Sequence, residues 1–196
     1  MQEISGNISH TVDFFQGAVT IILALALGEA LKLFVIPHGE TPIQWNRLPA
    51  LLAFLVVFFP FFQSISQYLY TTYLNPQTAP KFYPGYLVFD GSMYLLESAC
   101  FFVMSRALAP NHWRHFYAAV FALMAIDVVW AAVTYRRGIH VGAWIYIDIA
   151  ILLFIALMAW YERGKPQSMR PSYVGLAFLA AMTVLSYWLE RDIYFP

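Results

Sequence analysis

The sequence predicts an all-α, polytopic integral membrane protein with about six transmembrane helices in antiparallel hairpins. Three observations carry this. Of 196 residues, 61% are apolar, so about 120 are hydrophobic where one membrane-crossing helix needs roughly 20. Charged residues make up 11%, less than half of the about 25% usual in soluble domains. Mean hydropathy is +0.61. The same composition excludes a soluble globular domain and a disordered chain. Lys plus Arg equals Asp plus Glu at 11 each, so there is no basic excess to hold a phosphate backbone and no nucleic-acid partner is expected. Cys100 is the one cysteine, which rules out an internal disulfide and a CxxC redox pair.

Six apolar segments follow in order within a single transmembrane domain, residues 1–196. The first covers about 13–36 and stops at Pro37. The second covers about 48–70. The third, about 86–108, ends before Pro110. The fourth, about 115–135, meets Arg136 and Arg137. The fifth, about 141–161, precedes the run Glu162-Arg163-Gly164-Lys165-Pro166. The sixth, about 173–189, precedes Glu190-Arg191-Asp192. Each is about 17 to 24 residues, enough to cross the hydrocarbon core at about 1.5 Å per residue. Residues 1–12 hold no Lys or Arg, and the apolar run after them is too long for a secretory signal, so the first span is expected to stay in the mature protein.

Residues 109–114 and 136–140 read as tight turns, which makes spans three to five consecutive antiparallel hairpins. Residues 71–85, TTYLNPQTAPKFYPG, hold three prolines, an Asn and a Gly and predict a non-helical surface loop. Tyr70, Tyr73, Phe82, Tyr83 and Tyr86 around it suit an interfacial aromatic belt, as do Trp144, Trp160, Tyr161, Tyr187, Trp188 and Tyr194. Lys81, Arg136, Arg137 and Arg191 lie on the side of the termini. Lys32, Arg47, Arg106, Arg114, Arg163, Lys165 and Arg170 lie on the other. The positive-inside rule then puts the termini outside, although setting aside Lys32 and Arg106, which sit within helix ends, nearly levels the count.

Acids inside the spans are the main functional signal: Glu29 in the first, Asp90 and Glu97 in the third, Asp127 in the fourth and Asp148 in the fifth. Each costs about 2.5–3.5 kcal/mol at a helix centre on insertion scales. No Lys or Arg lies comparably deep, so the acids must be protonated, hydrogen-bonded, or facing water or a bound cation. Asp90 and Glu97 are seven residues apart and share a helix face. Asp127 precedes the turn near Gly138 by about as many residues as Asp148 follows it, so antiparallel packing sets the two carboxyls at one depth, near Trp130 and Trp144. Such a pair could share a proton or bind a cation. The plainer alternative is that the acids bond Ser92, Tyr94, Ser98, Trp130 or Tyr146 on neighbouring helices. Glu29 and Lys32, three apart near a helix end, fit a structural pair with Lys32 snorkelling. In span two, Pro60 removes a helix hydrogen bond. Gln63, Ser64, Ser66 and Gln67 follow it, and could line a water-filled path, join helices, or sit at the interface.

No metal site or cofactor is expected. His112 and His115 flank Trp113-Arg114 in a turn, and no HExxH or cysteine partner accompanies them. His10, His38 and His140 fall near span ends, which leaves no deep axial pair for haem. There is no G-x-S-x-G, Walker or dinucleotide motif.

Phe15-Gln16-Gly17 opens span one and Phe89-Asp90-Gly91 opens span three, a short internal echo. Span one, HTVDFFQGAVTIILALALGEALK, resembles the opening helix of the prokaryotic transmembrane-protein-175 potassium channels. That family carries an Arg, three residues, Phe-Ser-Asp-Gly, an Ile/Leu-rich run and a Glu. Phe14, Gly17 and Glu29 fall at the family spacing, with His10, Phe15 and Gln16 in place of the Arg, Ser and Asp. The stretch after Leu48 is loosely similar, and the likeness covers about a third of the chain. The resemblance implies a helical channel without a pore loop, with helix one lining the axis. It makes Ile21 the pore constriction, sets Ala24 where the family often has Thr, and puts the termini inside.

Three functional readings follow from the residues. The leading one is conduction or transport of a small cation, potassium or proton, by a homo-oligomer in the lipid bilayer. Its polar path would use Glu97, Asp127, Asp148, Asp90, Glu29, Gln63 and Gln67. A non-transporting subunit or sensor that docks a partner membrane protein, and an enzyme on a lipid-soluble substrate using acid pairs, are the alternatives. The absence of eukaryotic sorting signals points to a bacterial inner (plasma) membrane.

Overall fold

The structure, a computed structural model, describes residues 2–35, 43–75, 84–108, 112–139, 141–163 and 170–191. It holds six helices: α1 (Gln2–Val35), α2 (Leu48–Leu69), α3 (Pro84–Arg106), α4 (Trp113–Arg136), α5 (Gly142–Tyr161) and α6 (Arg170–Leu189). No strand occurs among the described residues. All six are long and apolar enough to cross a membrane, and the protein is an all-α integral membrane protein. Five of the helices begin and end within a few residues of the expected spans. α1 begins at Gln2, well before residue 13. Hydropathy marks where a helix enters hydrocarbon, and polar residues can carry the same helix on into the interface.

Helix ends follow from local chemistry. The last carbonyls of α1 have no intrahelical donors. The Gln44 N–H reaches the Phe34 carbonyl at 3.0 Å, and the Arg47 guanidinium reaches that of Leu33 at 2.7 Å. α4 ends at Gly138, whose φ of 84° is a left-handed conformation that glycine adopts without cost. The Gly138 N–H donates to Tyr135 at 2.9 Å and the Ile139 N–H to Thr134 at 3.4 Å. This is the Schellman arrangement, and it turns Arg137 back toward the bundle.

The expected loop after α2 starts later than the prolines suggested. Tyr70–Leu74 forms a π turn, closed by the Asn75 N–H on the Tyr70 carbonyl at 3.1 Å. Thr72 and Tyr73 are buried in it. The rest of that loop, with Phe82 and Tyr83, lies outside the described residues, as does Tyr194.

The helices pack as a closed ring in the order α1, α3, α4, α5, α6, α2 and back to α1. The α3–α4–α5–α6 part runs as the expected antiparallel hairpins. The α1–α3 and α2–α6 neighbours are parallel pairs of non-consecutive helices. Phe15 lies flat on Gly91, so that a Cβ there would overlap its ring. The two halves of the sequence echo thus meet at the α1–α3 seam. Pro60 has no N–H for the Val56 carbonyl, and the Thr183 hydroxyl of α6 donates to it instead at 3.2 Å. Phe54, Phe58, Phe61 and Phe101 form an aromatic cluster between α2 and α3.

Candidate functional site

Three of the acids come together. A cavity of about 90 Å³ lies between α2, α3, α4, α5 and α6, and Glu97, Asp127 and Asp148 all line it. One water fills about 10–15 Å³ on this measure, so several fit. Asp127 enters from α4 and Asp148 from α5, the two helices of the hairpin closed at Gly138, and both line this one cavity. Glu97 enters from α3. It is wholly buried, and neither of its carboxyl oxygens has a hydrogen-bond partner among the described residues. The Asp148 Oδ2 also lacks one. Among the described residues, no Lys, Arg or His lines the cavity.

The walls are aromatic and apolar. Trp130 and Trp144, one turn from Asp127 and Asp148 on the same helix faces, have ring centroids 5.6 Å apart. Tyr94 packs on Trp130 at 5.4 Å. Pro60 and Ser64 of α2 and Thr183 and Ser186 of α6 close the remaining side. The break at Pro60 is therefore part of the cavity wall. Trp144, one of the expected belt residues, is buried here. Trp160, Tyr161 and Trp188 are exposed as a belt requires.

Asp90 sits elsewhere and is fully paired. Its Oδ1 accepts from Arg137 at 2.9 Å, the two side chains being 7% and 0% exposed. The same oxygen accepts the Trp130 indole N–H at 3.2 Å. Its Oδ2 accepts the hydroxyls of Tyr68, at 3.0 Å, and Tyr73. Arg137 lies over the rings of Tyr86, at 4.1 Å, and Phe89, at 5.0 Å. Asp90 is thus salt-bridged, although the sequence sets no Lys or Arg at a depth comparable to the acids. Arg137, counted as a turn charge, folds inward through the Gly138 cap. Residues five apart on an α-helix point about 140° away from each other. The π turn between Tyr68 and Tyr73 brings both hydroxyls onto one carboxylate. Tyr73 is thus a buried donor and not a belt residue.

The signal for Arg137 was present in the spacing. Trp130 and Arg137 are seven apart, two turns along one face of α4. Asp90 lies one turn and a half into α3, the depth at which α4 ends.

The remaining expected residues lie off the cavity. Gln63 accepts from the Tyr187 hydroxyl at 3.3 Å, joining α2 to α6. The Gln67 carbonyl accepts from Thr71 at 2.8 Å. Glu29 is half-buried on α1 and Lys32 is exposed. Ile21 is 63% exposed, on the α1 face turned away from the bundle. Gln16 reaches across from α1 to the Ser66 carbonyl of α2 at 3.3 Å. Among the described residues, no three His, Cys, Asp or Glu side chains converge as metal ligands would. The chain matches no protein-family model, no curated protein and no solved structure.

Proposed function

We propose that this protein conducts or transports a small cation, a proton or potassium, through its acid-lined cavity, as a homo-oligomer in a bacterial inner membrane. One observation carries the reading: Glu97, Asp127 and Asp148 line one intramembrane cavity, with no basic side chain among the described residues around it. A carboxyl–carboxyl hydrogen bond needs a proton between the two groups. Ionised, the pair needs a cation beside it. Either way the site takes up a positive charge that the chain does not supply. Carboxyls that share a cavity with room for water pass a proton without dehydrating an ion, which favours the proton over potassium.

The test is flux in proteoliposomes holding only this protein, read with a pH-sensitive dye under an imposed potassium gradient. A response without protonophore is expected and means the protein itself moves protons. A response only with protonophore means electrogenic potassium conduction. Asp127→Asn with Asp148→Asn is expected to abolish flux while leaving insertion intact. Silence of the wild-type protein, or unchanged flux in the double variant, overturns the proposal.

A second reading rests on α1. Phe14, Ile21 and Leu25 are 66%, 63% and 59% exposed, so this face is free to meet further copies. Under the resemblance to the potassium channels, Ile21 would line an axis between subunits, and flux would survive loss of the acids.

A further inference from the structure

A second concavity lies at the opposite end of α4, remote from the acids. It is a groove of about 430 Å³ between the start of α4 and the end of α5. Ala118, Ala156 and Ala159 hollow it, and Phe121 and Ile155 wall it. Arg114, in the first turn of α4, and Arg163, just past α5, stand at its mouth and are exposed. Arg114 donates one N–H to the Glu162 carbonyl at 3.1 Å and lies 5.5 Å over the Trp113 ring. A guanidinium carries five N–H donors, so most of its capacity faces outward. Trp113 is 6% exposed and lines the groove. Its indole N–H is buried with no acceptor among the described residues.

We propose that this groove binds an anionic phospholipid. Its phosphate sits on Arg114 and Arg163, and one acyl chain lies along the alanine-lined floor. Three features fit that occupant together. Helix ends lie at headgroup depth. Guanidinium forks match phosphate oxygens in pairs. The floor below is apolar and faces the acyl region. A zwitterionic lipid brings its own ammonium to the phosphate and gains less from two arginines. The proposal is independent of the cation pathway, since no residue is shared between the two cavities.

The experiment measures thermal unfolding of the full chain in a neutral detergent, titrated with phosphatidylglycerol, with phosphatidylcholine of the same chains, or with inorganic phosphate. Phosphatidylglycerol is expected to raise the midpoint and the other two to leave it in place. Each arginine near a charged headgroup contributes about fivefold in affinity, so R114Q with R163Q weakens phosphatidylglycerol binding roughly thirtyfold. Ala156→Leu fills the groove below the arginines, and is expected to weaken lipid binding with both charges intact. It also serves if the double variant fails to fold. Equal shifts with the two lipids, or an unchanged titration in both variants, overturns the proposal. A shift with inorganic phosphate as large as with lipid does so too, because it shows an anion site without a lipid.

Discussion

Replacing Asp90 by Asn is the sharpest test of how α3 and α4 are joined. Asn keeps an oxygen acceptor of nearly the same shape, so packing is left alone. It removes the charge, and Arg137 is then buried at 7% exposure with no counter-ion. Breaking a buried pair on one side costs about 3–5 kcal/mol. An ordinary hydrogen bond between membrane helices averages about 0.6 kcal/mol, because the separated helices also find partners. The gap between these figures decides whether the pair acts as a charge pair. Arg137→Gln should cost a similar amount, since it leaves the carboxylate with only the Tyr68, Tyr73 and Trp130 donors. In the double variant no charge remains, so its cost should fall well short of the sum, with a coupling above about 1.5 kcal/mol. The assay is reversible unfolding in mixed micelles followed by far-UV circular dichroism. A cost below about 1 kcal/mol for Asp90→Asn, or additivity in the double variant, would refute the charge-pair reasoning.

Three other substitutions probe other parts of the bundle. Gly91→Ala drives a methyl into the Phe15 ring near its attachment point, and should destabilise by about 1–3 kcal/mol in the same unfolding assay. Adding Phe15→Leu should recover part of that loss. Glu97→Met swaps a buried, unpartnered carboxyl for an apolar chain of similar length, and should raise stability by about 1–3 kcal/mol while abolishing flux in proteoliposomes. A stability gain with flux retained would separate Glu97 from the pathway. Ile21→Asn leaves flux unchanged if cations pass through the cavity, and raises it if Ile21 forms a constriction between copies.

Within one hairpin the sequence was legible, because a short turn fixes the depth of everything on either side of it. The meeting of Asp127 with Asp148 needed only the position of Gly138 and the helical rise. What hydropathy does not encode is which non-consecutive helices become neighbours. The arrival of Glu97 at the same cavity depends on the ring order. So do the contact of Thr183 with the Val56 carbonyl and the distance of Gln63 from the acids. Side chains that leave a helix end were also out of reach. Arg137 looks like a turn charge until the left-handed glycine after it sends the guanidinium inward. Tyr73 looks like a belt residue until the π turn rotates it. The acids were visible as costs, but the partner of each was decided by tertiary packing. Asp90 received four donors, while Glu97 received none from the described residues.

The ring order also constrains how the chain can be assembled. α2 leaves the ribosome well before α6, yet the contacts that seat it against α6, Thr183 to Val56 and Tyr187 to Gln63, span 127 and 124 residues. Spans three to five can zip together as they emerge, each onto the one before. α2 has one flank open until α6 arrives, and the carbonyl exposed by Pro60 has to wait with it. The cavity wall formed by Thr183 and Ser186 is therefore the last to be laid down. A nascent chain stalled before α6 holds the three acids in an unclosed bundle, without the compartment in which they face one another. Arrival of α6, and not insertion of the acid-bearing helices, is the step that creates the site.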